Sequence, residues 1–256
     1  GDALTTGFAN VAIGYQALSS DDVGTNTVAI GQNALFAQNF STATETQNVA
    51  VGQSAGASVT TGIRNTLIGG LAGDALTDAD DNVAIGALAL SADTLGSQAV
   101  AIGRGALKVQ NFTTATNSYN VAVGYSAGES VTTATSNTLV GGLAGDALTE
   151  GARNVAVGTA ALTNDTLGQY AVAIGYGALS VQNFTTATNS LNTAVGYLAG
   201  ENVTTGTNNT LIGANTGDAL TIGKDNVVMG RSALTTDDVG SQNVAIGSSA
   251  LESQNA

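Results

Sequence analysis

The chain has 256 residues and a net charge of −13 from six basic and nineteen acidic side chains, which excludes the basic footprint that nucleic acid or an anionic membrane surface requires. It contains neither Cys nor His, so disulfides, Ser-His and Cys-His catalysis and ordinary zinc or copper sites are excluded within these residues. Gly, Ala, Thr, Asn and small β-branched residues dominate, and no apolar run has the length of a membrane span or a signal peptide.

From the N-terminus onward, a pentapeptide of the form Asn-Val-Ala-Ile-Gly returns fourteen times. Its closing glycines are Gly14, Gly31, Gly52, Gly69, Gly86, Gly103, Gly124, Gly141, Gly158, Gly175, Gly196, Gly213, Gly230 and Gly247. The gaps between them run 17, 21, 17 and 17 before starting again, a cycle of 72 residues. Such repetition sets the fold class before any site is considered, because repeat chains grow by stacking neighbours. Counting the closing glycine as zero, position −1 is Ile, Val or Met and position −3 is Val or Thr. Strand side chains alternate with period two, so these positions share a face. Position −2, on the opposite face, is Ala in ten copies and otherwise Leu67, Leu139, Leu211 or Val228. A strand with one wet face would carry polar residues there. Both faces are therefore expected to be covered, one by the core of the rung and the other by a further partner. Position −4 is Asn in eleven copies, with Thr27, Ala99 and Ala171 as exceptions. Two readings of it are open: an amide ladder along stacked rungs, or a turn residue that tolerates left-handed geometry. The glycine supplies positive φ or close packing at a corner.

Beyond the corner, position +3 is Ala in thirteen copies, with Thr216 the exception. Position +4 follows a strict order: Leu18, Leu35, Gly56, Gly73, then Leu90, Leu107, Gly128, Gly145, and onward. Where it is Gly, position +7 turns apolar, as in Val59 and Leu76, so a large side chain is still buried three residues later. No sustained helical spacing occurs. The pattern predicts an all-β parallel β-roll, or β-solenoid, of about fourteen rungs of 17 or 21 residues, each with two short strands joined by tight turns. At roughly 4.8 Å per rung, the stack would extend about 65 Å and each cycle about 19 Å. Residues 1–256 read as one continuous solenoid domain. The chain opens mid-repeat without Met, Gly1–Thr5 repeat Gly73–Thr77, and Gln254-Asn255 repeat Gln38-Asn39, so it reads as a segment of a longer fibre or a processed product.

The 21-residue rungs carry the insertions Gln38-Asn39-Phe40, Gln110-Asn111-Phe112 and Gln182-Asn183-Phe184, each followed by a Ser/Thr/Ala tract. Loops on a rigid scaffold are where recognition usually sits. Asn39, Phe40, Asn111, Phe112, Asn183 and Phe184 are accordingly the candidate ligand- or receptor-binding residues. The alternative is that each Phe covers a strand edge or packs between subunits. Each loop also matches the Asn-x-Ser/Thr glycosylation pattern. Asp21, Asp93, Asp165 and Asp237 form one acidic column, and Asp2, Asp74, Asp146 and Asp218 another. Column members about 19 Å apart cannot share a calcium ion, which takes about six to eight oxygens. The dense group Asp78, Asp80 and Asp81 occurs in one copy and reads as a solvated turn. No acidic pair stands out for glycoside cleavage, so the chain is read as non-enzymatic, with no metal and no cofactor.

The motif as it stands in Asn10-Val11-Ala12-Ile13-Gly14 or Asn243-Val244-Ala245-Ile246-Gly247 resembles the head repeats of YadA-like trimeric autotransporter adhesins, and equally the related repeats of bacteriophage and other large-virus fibres. The resemblance covers nearly the whole chain. It implies left-handed parallel β-rolls packed as a homotrimer, for which the apolar −2 column would supply the subunit interface. The rungs here are longer than the adhesin repeat, and Ala stands at +3 where that family often has Ser. The resulting expectation is a structural and adhesive fibre, extracellular on a cell or virion surface, whose loops meet a cell-surface glycan or protein receptor. Its partners would be copies of itself, with no nucleic acid and no membrane insertion. The alternative is a purely structural filament that assembles end to end; ice binding on a Thr-rich face is more distant still.

Overall fold

β-Branched residues at −3 and −1 favour extended backbone, and every pentapeptide forms a three-residue strand ended by its glycine. The structure, a computed structural model, describes residues 1–253; Gln254 and Asn255 lie outside the described residues. It is an all-β parallel β-solenoid of about fourteen turns, with no helix among the described residues. Two compact units are distinguished, Gly1–Ser126 and Ala127–Ala256.

In the first unit the strands are β1 (Val11–Ile13), β2 (Gly24–Thr25), β3 (Val28–Ile30), β4 (Thr44–Glu45), β5 (Val49–Val51), β6 (Thr66–Ile68), β7 (Val83–Ile85), β8 (Gly96–Ser97), β9 (Val100–Ile102), β10 (Thr116–Asn117) and β11 (Val121–Val123). In the second they are β12 (Thr138–Val140), β13 (Val155–Val157), β14 (Gly168–Gln169), β15 (Val172–Ile174), β16 (Thr188–Asn189), β17 (Thr193–Val195), β18 (Thr210–Ile212), β19 (Val227–Met229) and β20 (Val244–Ile246). Within each unit the three-residue strands pair in parallel with equivalent residues opposite: Val83, Ala84 and Ile85 of β7 face Val100, Ala101 and Ile102 of β9.

The second half of the rung differs from the expected second strand. Two-residue strands form only beside the long rungs, where β2 pairs β4, β8 pairs β10 and β14 pairs β16. Elsewhere the chain turns continuously, with positive φ at −5, +2 and +4, as at Asp81 (60°), Leu88 (60°) and Leu90 (53°). These left-handed residues bend the backbone too sharply for strand geometry. Rung-to-rung hydrogen bonds continue through the turns: the Leu35 N–H donates to Ala55 O and the Ala37 N–H to Ala57 O, both at 3.0 Å.

The −2 column points inward. Ala29, Ala50, Leu67 and Ala84 are fully buried, while the −3 and −1 residues of the same strands stay partly exposed. This corrects the assignment of −2 to a subunit interface: small Ala suits the narrow interior, and the bulkier Val and Ile face outward. The Leu/Gly order at +4 follows from the same crowding. Left-handed geometry costs a non-glycine residue about 1–2 kcal/mol, and burying a Leu returns roughly 1.5–3 kcal/mol. Leu18, Leu35, Leu90 and Leu107 are fully buried there. Where Leu67 and Leu76 already fill the space, Gly73 replaces Leu; a Cβ on it would stand 2.7 Å from Leu67 and 2.9 Å from Leu76.

Position −4 is the amide ladder. Asn65 is fully buried, its Nδ2 donates to Ala79 O at 2.7 Å, and its Oδ1 accepts the Asn82 N–H at 3.0 Å. In the second unit Asn209 does the same with Gly223 O at 2.9 Å and the Asn226 N–H at 3.1 Å. The left-handed turn residue is its predecessor at −5.

Candidate functional site

Each long loop is rooted in a buried polar junction. Asp93 stands at +7 of its rung, in the register where other rungs hold Val59 or Leu76, and is fully buried. Its Oδ1 accepts the N–H groups of Gly96 (3.0 Å) and Phe112 (3.1 Å), and its Oδ2 accepts Nε2 of Gln110 at 2.6 Å. Gln110 Oε1 in turn accepts Nδ2 of Asn120 at 2.8 Å. The junction sits where the ladder carries Ala99 in place of Asn, so Gln110 continues the polar chain by another route. Asp165, Gln182 and Asn192 repeat the arrangement around Ala171, and Asp21, Gln38 and Asn48 around Thr27. Burial pushes the Asp93 pKa up against four hydrogen bonds that favour the carboxylate, from the Gln110 side chain and the N–H groups of Phe112, Gly96 and Thr94; Asp165 is raised for the same reason.

Phe40, Phe112 and Phe184 turn inward and are 7%, 5% and 5% exposed, the covering role among the two expected. The Phe112 ring lies over Gly96, where an added Cβ would meet it at 2.8 Å. Asn39, Asn111 and Asn183 are exposed, together with the tips 41–43, 113–115 and 185–187. Asn111 Oδ1 and Asn183 Oδ1 each accept a Thr hydroxyl, from Thr94 and Thr166, at 3.0 Å. The Asp78, Asp80 and Asp81 group serves the turn: Asp78 accepts the Thr61 hydroxyl, Asp80 the Ile63 N–H at 2.8 Å, and Asp81 pairs with Arg64. That guanidinium holds the Asp81 pKa below the usual carboxylate range. Among the described residues, no group of three or more His, Cys, Asp or Glu is arranged to hold a metal ion, and no helix is long and apolar enough to cross a membrane.

The second surface is the outward face of the three-residue strands. Positions −3 and −1 place Val, Ile, Thr and Met229 there, with no charge in any rung. By strand parity, −5 and +1 flank these columns, and both are largely exposed. All six Tyr and all four Arg of the chain lie in these two rims: Tyr119, Tyr170, Arg64 and Arg153 at −5, and Tyr15, Tyr125, Tyr176, Tyr197, Arg104 and Arg231 at +1. Along the rims they stack on successive rungs. Tyr176 and Tyr197 rings are 5.6 Å apart and 14° from parallel, Arg104 lies 5.8 Å from the Tyr125 ring centre, and Arg153 lies 5.5 Å from that of Tyr170. An apolar centre with Tyr and Arg enriched around it is the composition of a protein–protein interface. The sequence reading missed this face because it assigned the contact to −2; the confinement of every Tyr and Arg to two columns was the available signal.

The fold and these surfaces define a parallel β-solenoid with one uncharged lateral face and one long loop per 72-residue cycle. No family model, curated protein or solved structure matches the chain.

Proposed function

We propose that the chain is a non-enzymatic structural segment of a surface fibre, on a cell or virion exterior, in which three copies associate through the −3/−1 face while the long loops meet a glycan or protein receptor. The observation that carries this reading is the charge-free apolar face on a chain of net charge −13. Six rung spacings of about 4.8 Å and six residues of about 3.3 Å give a strip of roughly 600 Å² in each unit. Counted from rim to rim, that strip approaches the roughly 800 Å² each partner gives to a standard interface. The exposed Asn39, Asn111 and Asn183, with their hydroxyl-rich tips, are the groups a receptor would meet.

Sedimentation equilibrium tests the association: the expected mass is three times the 25.0 kDa of one chain. Val155→Glu with Val172→Glu places two carboxylates on the face and should yield a folded monomer by circular dichroism. A wild-type chain that stays monomeric at every concentration refutes lateral assembly. Asn111→Ala with Asn183→Ala should weaken adhesion to receptor-bearing cells or glycans without changing the mass; undiminished adhesion refutes loop recognition.

A further inference from the structure

Each long rung sets two +1 residues beside a pair of neighbouring strands: Gln32 and Gln53 at β3 and β5, Arg104 and Tyr125 at β9 and β11, and Tyr176 and Tyr197 at β15 and β17. Only the third place brings two phenols together. There the Leu198 N–H donates to Tyr176 O at 2.9 Å, which holds the two backbones one rung apart, about 4.8 Å. The rings stack 14° from parallel with centres 5.6 Å apart, and both side chains are more than half exposed. This is the one ring–ring contact among the described residues. Tyr125 and Tyr170 lie instead against the guanidinium groups of Arg104 and Arg153. Tyr170 shares a rung with Tyr176 but stands on the opposite rim.

We propose that Tyr176 and Tyr197 form an oxidative cross-linking site, a substrate for hydrogen peroxide and a haem peroxidase, whose product is a dityrosine bond between successive rungs. Each phenol gives up one hydrogen atom, and the two radicals join ortho carbon to ortho carbon. Each ring regains aromaticity as its ortho hydrogen leaves as a proton and its oxygen takes one up. The peroxide accepts the two abstracted hydrogen atoms and becomes two waters. Exposure leaves both rings free to turn from face-to-face stacking to the edge contact that the new bond requires. The cation beside Tyr125 and Tyr170 makes an electron harder to withdraw from them, which directs oxidation to the stacked pair. The bond closes the segment 176–197, which holds the third long loop and its exposed Asn183. Covalent closure of a loop stabilises a fold chiefly by restricting the unfolded chain, and this chain has no Cys with which to form a disulfide. Because both rings belong to one chain, the site stands apart from the lateral association proposed above.

The test treats the full chain with peroxide and a haem peroxidase, beside a tyrosine-containing dipeptide that reports whether the oxidant is active. The chain should become lighter by two hydrogen atoms, gain dityrosine fluorescence and still run as a single chain on a denaturing gel. Chymotryptic digestion should release Tyr176 and Tyr197 in one linked species, and the linked chain should unfold at a higher temperature than the untreated one. Tyr176→Phe and Tyr197→Phe, each of which keeps the ring and removes the phenol, should abolish the product. Tyr125→Phe with Tyr170→Phe should leave it unchanged. No linked species under conditions that couple the dipeptide overturns the site. So does a product that survives Tyr197→Phe, or one that joins different chains.

Discussion

At the closing glycine two constraints coincide. Gly86 has φ of 130°, a region closed to side chains, and a Cβ there would stand 2.6 Å from the carbonyl of Gly103 on the next rung. Stacked rungs cannot move apart to relieve this without breaking the strand ladder. Gly86→Ala is expected to cost more than about 3 kcal/mol in urea unfolding. Gly70 lacks positive φ, and an added Cβ would meet nothing within 4 Å, so Gly70→Ala should leave stability within about 0.5 kcal/mol.

The element that organises the cycle is the junction of Asp93, Gln110 and Asn120, which carries the ladder past Ala99 and roots the long loop. Gln110→Ala would leave a buried carboxylate and a buried amide each short of a partner. The expected loss is about 2–4 kcal/mol, measured by chemical denaturation, well beyond that of a surface Gln such as Gln53→Ala. Much of the rung was legible in sequence: the strand, the corner glycine and the exchange between Leu at +4 and Val59 or Leu76 at +7 recur at fixed positions. The direction of the strand was not, because −2 and the −3/−1 pair are both apolar or nearly so and no polar face breaks the tie. Asp93 and Gln110 also escaped, since acidic and amide side chains usually mark surface, although their +7 register coincides with that of buried Val59. Among the candidate site residues, periodicity located the loops at Asn111 and Phe112 but could not tell which of the two turned inward. Tyr and Arg on the rims recur after 72 residues only at Tyr125 and Tyr197, so the outward parity of −5 and +1 is what reveals them as a set.

Across the whole molecule, charge and proton binding act together. Burial raises the carboxyl pKa of Asp74, Asp93, Asp146, Asp165 and Asp218, whereas Arg64 lowers that of Asp81. A raised acid holds its proton in the folded chain at pH values where the unfolded chain has released it. Stability therefore falls as pH climbs from the ordinary aspartate value, about 3.9, through the raised values, and is regained on acidification. Asp81 acts oppositely, losing its contribution only below that ordinary value. With five raised groups against one, and a net charge of −13 relieved by protonation, calorimetry should give a higher Tm near pH 4.5 than at pH 7. A Tm that falls steadily from pH 7 to 4.5 contradicts this. The amide ladder adds a direction to the stack. Asn65 holds out Oδ1 and Nδ2 toward the rung that follows, so the acceptor for Asn82 is set by Asn65 before residue 82 is placed. A rung can thus close on its predecessor once its own 17 or 21 residues are available, and a chain emerging N-terminus first from the ribosome is templated one rung at a time.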